Sequence, residues 1–142
     1  MSASEYPARA EQAFNRRDAD GLTALWASDF EYEGPGGERS TGRAAAIVRE
    51  RALWTAFPDI RADLSHHLVA GERLVIEGRM CGTHGGSLRL GSTTVPASGR
   101  RIDVTFVALF RFVDGLVAHE RVVYDRADLL VQLGVASAAE DR

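Results

Sequence analysis

The chain is 142 residues long, 45% hydrophobic and 26% charged, with a formal net charge of -3 at pH 7. That length reads as one domain over residues 1–142, large enough to bury a core without disulfides or metal. The charge balance and the lack of any Lys/Arg-rich run exclude an electrostatic grip on nucleic acid or anionic membrane, and no apolar stretch reaches the roughly 18 residues of a membrane span.

A single cysteine, Cys81, excludes an internal disulfide and suits a reducing compartment. The opening M-S-A-S-E-Y lacks the basic start and apolar core of a signal peptide, so the expected location is cytoplasmic.

From Tyr6 to Asp18, Ala10, Ala13 and Phe14 recur at helical spacing, with Ser4 or Pro7 at the start. A short helix over Asp20 to Trp26 and a brief strand over Phe30 to Glu33 follow, closed by Gly34-Pro35-Gly36-Gly37. Arg43 to Phe57 is a longer helix with Ile47, Ala52, Leu53 and Trp54 inward, stopped by Pro58.

Everything from Ile60 to Asp125 alternates with a period of two. Ile60, Ala62, Leu64 and Leu68 form one face of a strand and carry His66 with them. A three-residue loop, Ala70-Gly71-Glu72, sets Leu68 against Leu74 and His66 against Ile76 in the next strand, Leu74 to His84. Gly85 to Gly99 is a long polar connection able to cover a pocket.

Ile102 to Val113 places Val104, Phe106, Ala108, Phe110 and Phe112 on one face. Asp114-Gly115 is a two-residue hairpin signal that pairs Val113 with Leu116, Phe110 with His119, Ala108 with Arg121, Phe106 with Val123 and Val104 with Asp125. This register sets Asp125, His119 and Arg121 beside the phenylalanines. A three-residue loop would instead bring Arg111 and Thr105 to the face of Asp125.

At Asp125 a β-branched run meets an amphipathic helix with Leu129, Leu130 and Leu133 on one side. There a carboxylate is either a helix N-cap or a general acid/base at a pocket mouth, tuned by facing aromatic rings. Helices before almost all the strands, then four long antiparallel strands and a last helix, give an α+β layout: a curved sheet wrapped around N-terminal helices into a cone.

The chain resembles the SnoaL-like polyketide cyclases of the nuclear-transport-factor-like α+β barrel superfamily. The resemblance rests on Phe57-Pro58-Asp59, Gly82-Thr83-His84 with Gly86, Pro96 with Gly99-Arg100-Arg101, and Arg111 through Asp114-Gly115. It ends on Tyr124-Asp125, Leu129-Leu130 and Gln132-Leu133-Gly134. It implies a cofactor-free enzyme whose aspartate at the strand-to-helix junction, here Asp125, deprotonates an activated methylene for an intramolecular aldol closure and returns the proton. Arg121 stands where the family commonly has Trp, and Glu77 where Arg is frequent.

The candidate site is therefore Asp125 and His84 for proton transfer, with His119, Arg121, Tyr32, Phe106, Phe110, Trp54, His66 and Arg111 around a hydrophobic, carbonyl-rich small molecule. No metal is expected, because His66 and His67 point to opposite faces and no third ligand joins them. Two rivals stand beside the cyclase. One is epoxide opening with Arg111 or Arg121 bridging Asp125 to a carboxylate such as Asp103. The other is a non-catalytic binding module. Thr105, Val107 and Leu109 mark a homodimer surface.

Overall fold

A computed structural model describes residues 1–135. Four helices, α1 (Tyr6–Asn15), α2 (Ala19–Thr23), α3 (Arg43–Ala56) and α4 (Arg126–Gln132), pack with eight strands. The strands are β1 (Trp26–Glu33), β2 (Arg39–Thr41), β3 (Arg61–Ala70), β4 (Arg73–Thr83), β5 (Leu88–Leu90), β6 (Thr93–Val95), β7 (Arg101–Val113) and β8 (Leu116–Tyr124). Six form one sheet in the order β2-β1-β8-β7-β4-β3, antiparallel except where β1 runs parallel to β8. This is the expected α+β cone, with α1 and α3 against the sheet's inner face and the short α4 closing one end. No described helix is long and apolar enough to cross a membrane.

The alternation in β7 sets the core. Ile102, Phe106, Ala108, Phe110 and Phe112 are buried while Asp103, Thr105, Val107, Leu109 and Val113 are exposed. Tyr6 of α1 packs on Phe110 and Phe112, with ring centres 5.0 and 5.6 Å away. Asp114 and Gly115 take φ of 51° and 78°, the positive values a two-residue hairpin turn needs.

Two registers differ from the expected ones. In β8 the pairs Val113–Leu116 and Phe112–Val117 obey the two-residue turn, but the next pair is Arg111 with His119, which leaves Ala118 as an extra residue. This β-bulge flips every later side chain to the other face, because the strand period is two. Phe110 therefore faces Glu120 and Phe106 faces Tyr124, while Arg121 lies opposite Leu109. In β3–β4 the turn has two residues, with Ala70 opposite Arg73, and a bulge falls between Asp63 and His66. His66 then pairs with Glu77, and Leu68 is 76% exposed.

The residues of the family-like pattern tie the ends of elements together. Asp59 accepts from the backbone N–H and hydroxyl of Thr83 at 2.6 and 2.8 Å. Gln132 of α4 accepts from Asp103 N–H at 2.7 Å and donates to Asp103 C=O at 3.0 Å, clamping the helix to β7. The Gly85–Gly99 connection folds into the β5–β6 hairpin, and its start is held by donation from Gly85 and Gly86 N–H to Ala56 C=O.

Candidate active site

The cone encloses a cavity of about 450 Å³. Its wall is mostly apolar: Phe14, Leu22, Leu53, Phe57, Ile60, Ile76, Ile102, Val104, Phe106, Phe110, Val122 and Leu129 all face it. Exposed residues among the lining, Glu38, Thr55, Ser87 and Arg89, mark the rim, and Leu88 and Leu90 of the β5–β6 hairpin cover part of the opening. A cavity of this size with few polar groups suits a small molecule of several rings.

The polar groups gather on three elements. Tyr32 of β1 and Glu120 of β8 are neighbours in the parallel pairing, so both side chains enter from the same face. Arg49 and Glu50 come from the inner side of α3, at helical spacing from buried Ala46 and from Leu53. The Arg49 guanidinium carbon lies 3.3 Å from the Tyr32 ring centre, a cation–π contact that fixes the side chain across the cavity. Arg49 Nη2 stands 3.5 Å from Glu50 Oε1, close enough to pair in charge but off the angle of a hydrogen bond.

Burial governs the titration of these groups. The Glu120 carboxyl is pushed up to about 7 because its charged form is desolvated; Arg49 opposes the rise and Glu50 adds to it. Burial also raises Glu50, against the pull of Arg49. The phenols of Tyr6 and Tyr32 are lifted above their usual range by the same desolvation and stay protonated. At neutral pH the site holds a fixed cation, phenolic donors and a carboxyl poised to gain or lose a proton.

A family model described as SnoaL-like polyketide cyclase matches residues 7–133. The chain belongs to the SnoaL-like polyketide cyclase family. IdmH of Streptomyces antibioticus, a candidate polyketide cyclase, is 26% identical with a TM-score of 0.76, the match covering 93% of this chain and 98% of that one. AclR of Streptomyces galilaeus, a candidate hydroxylase, is 25% identical with a TM-score of 0.78, covering 96% and 100%. A candidate SnoaL-like polyketide cyclase from Jannaschia Sp. CCS1, 23% identical over 94% and 92% of the two chains, shares the fold with a TM-score of 0.82. No curated protein matches the sequence.

Within this SnoaL-like domain the expected site residues fall into two groups. Tyr32, Phe106 and Phe110 line the cavity. The others are outside it. The bulge at Ala118 carries His119 and Arg121 to the outer face of the sheet, where the alternation of β7 also puts Arg111, and His119 Nε2 lies 3.0 Å from Glu33 Oε2. His66 is exposed midway along β3, and Trp54 packs on Phe14 with ring centres 5.6 Å apart. His84 is fully buried behind the wall, its ring tilted against Phe57, with Nδ1 accepting from Ser98 N–H at 3.2 Å and 2.9 Å from Ser98 Oγ. It anchors the cover loop and does not line the cavity.

Asp125 takes the position of a helix N-cap: it is exposed, its Oδ1 accepts from Asp128 N–H at 3.0 Å, and it is not among the residues of the cavity wall. Asp103 lies on the outer face, its carboxylate in a bidentate pair with Arg79. The cavity's carboxyls, Glu50 and Glu120, are of a type that reads as surface in a linear sequence. A signal for them existed. Glu50 sits four residues from Ala46 and three from Leu53, and Glu120, Val122 and Tyr124 alternate against Arg121 and Val123.

Proposed function

We propose that this chain is a cyclase-type enzyme acting on a hydrophobic, carbonyl-rich small molecule, with Glu120 as the general acid and base. The observation that carries the reading is the Glu120 carboxyl inside a mostly apolar cavity, within the field of the Arg49 cation. The ionised carboxylate removes a proton from a methylene activated by flanking carbonyls. The resulting enolate carbon attacks a second carbonyl of the same molecule, and the new alkoxide takes the proton back from Glu120. Arg49 stabilises the negative oxygen of the enolate and then of the alkoxide. The apolar wall holds the chain folded with donor and acceptor carbons close, which turns closure into a near-unimolecular step. All of this is proton transfer and positioning, within the competence of the cavity's own side chains.

The experiment is turnover of a linear aromatic polyketone by wild type and Glu120→Gln. Glutamine keeps the shape and loses the base, so ring closure falls by roughly a hundredfold or more while the substrate still binds. Full activity in Glu120→Gln would end this assignment. Wild-type binding with no chemical change would favour the non-catalytic ligand-binding module.

One guanidinium acting on two carboxyls also supports a second reading, in which Glu120 activates a water and Arg49 and Glu50 complete the set for epoxide opening. Hydrolysis of a simple apolar epoxide, lost in Glu120→Gln, would select it. The exposed outer-face row Val107, Leu109 and Val123 is the surface on which we place a homodimer, checked by sedimentation of wild type against Leu109→Glu.

A further inference from the structure

The polar end of the cavity contains two donors whose hydrogen bonds are incomplete. Arg49 Nη2 and Trp26 Nε1 are both buried, and neither makes a well-aligned hydrogen bond among the described residues, although Glu50 stands beside the first and the Tyr6 hydroxyl beside the second. Glu50 stands off-angle to Arg49, and Trp26 is held in place by stacking on Phe30 with ring centres 5.1 Å apart, so neither donor can turn to water. Buried donors are nearly always satisfied, which makes these two a request for a ligand's oxygens. A guanidinium held over a tyrosine ring is matched best by a charged oxygen group, which accepts stronger hydrogen bonds than a neutral carbonyl does.

We propose that the cavity takes a substrate with an apolar ring skeleton and one anionic oxygen group, a carboxylate or an ionised enol, bound on Arg49 Nη2, with a further oxygen acceptor on Trp26 Nε1. This rests on the cavity being the substrate site and deepens that reading by naming the substrate class; it is independent of the aldol step. The groups facing Arg49 are Glu50 on its own helix, Glu120 of β8, Tyr6 of α1 and Tyr32 of β1, with Glu38 nearby at the rim. Two carboxyls already share one cation. An incoming anion therefore binds best while Glu120 holds its proton, above about pH 7 binding draws one proton from solution, and the base of the proposed ring closure is the minor complex in which Glu120 has ionised again.

The test uses the full chain and two probes of equal shape, 9,10-anthraquinone-2-carboxylate and its neutral carboxamide, titrated from about pH 6 to about pH 9 with folding checked by circular dichroism. The carboxylate binds about tenfold tighter at the acid end, and its affinity falls about tenfold per pH unit above about pH 7 while the carboxamide stays level. 2-Hydroxy-1,4-naphthoquinone, an ionised enol, against its methyl ether separates the two anion types by which pair shows the larger gap. Arg49→Met removes the preference. Glu120→Gln keeps the preference and flattens the slope, and it decides the matter if Arg49→Met does not fold. Neutral members binding as tightly as their anionic partners, or an unchanged slope in Glu120→Gln, would overturn the proposal. None of these readouts uses turnover. Loss of the cyclase reading leaves the anion preference to be judged alone, and a flat probe series sinks the substrate class while the role of Glu120 in chemistry stands or falls by its own assay.

Discussion

Arg49 lies over the ring of Tyr32, its guanidinium carbon 3.3 Å from the ring centre, and Tyr32 is the direct strand neighbour of Glu120. The cation is thereby fixed near a carboxyl whose charge is poorly solvated, and the two effects on Glu120 oppose each other. Desolvation wins, leaving it at about 7 against an ordinary 4.5.

That outcome predicts a distinctive pH dependence of stability. A carboxyl with a raised folded value binds its proton more tightly in the folded state. Its stabilising contribution is full below about 4.5 and is lost as pH rises to about 7. Wild type should therefore lose about 2–3 kcal/mol relative to Glu120→Gln across that window. Urea unfolding of both proteins at several pH values measures the difference, and parallel curves would contradict the buried state of the carboxyl.

Asp125 should matter for folding and not for chemistry. Its side chain accepts one orphan N–H at the start of α4, a role asparagine fills as well and alanine does not. Asp125→Ala should cost about 1 kcal/mol of stability, Asp125→Asn close to nothing, and both should turn over substrate at the wild-type rate. A dead but folded Asp125→Asn enzyme would return the catalytic role to the strand-to-helix junction.

Much of the fold was legible because it rests on strong local signals. The row Phe106, Ala108, Phe110, the turn at Asp114-Gly115 and the stop at Pro58 each follow from one residue type in one periodicity. The site was harder to read because it depends on Ala118. An alanine in a strand gives no sign of a bulge, yet it decides whether Arg121 or Glu120 faces the phenylalanines. The interior placement of Arg49 and Glu50 was hidden for another reason. Charged side chains on a helix are ordinarily outside, and only the facing Tyr32 and Glu120, distant in sequence, make burial tolerable.

Gly78 lies opposite Phe106 in the β4–β7 pairing, and a Cβ there would collide with the Phe106 ring. The ring can only swing toward the cavity. Gly78→Ala should cost about 1–3 kcal/mol and weaken large ring ligands more than small ones, since the space is taken from the pocket. Equal loss of affinity for one-ring and three-ring ligands would show that Phe106 does not move inward.

The last prediction concerns His84. Its ring is completely buried, yet the cavity wall is complete without it, and its Nδ1 contacts are to Ser98 at the other end of the cover loop. Removing the ring leaves a void beneath Phe57 and releases Ser98, loosening the far end of the connection that carries Leu88 and Leu90. His84→Ala should lose about 2–4 kcal/mol of stability by cavity formation, and Ser98→Ala about 1 kcal/mol through a single hydrogen bond. Since His84 touches no substrate, the folded fraction of His84→Ala should keep the wild-type pH–rate profile while its KM rises with the loosened cover. A change in the profile's apparent pKa would mean that His84 takes part in proton transfer after all.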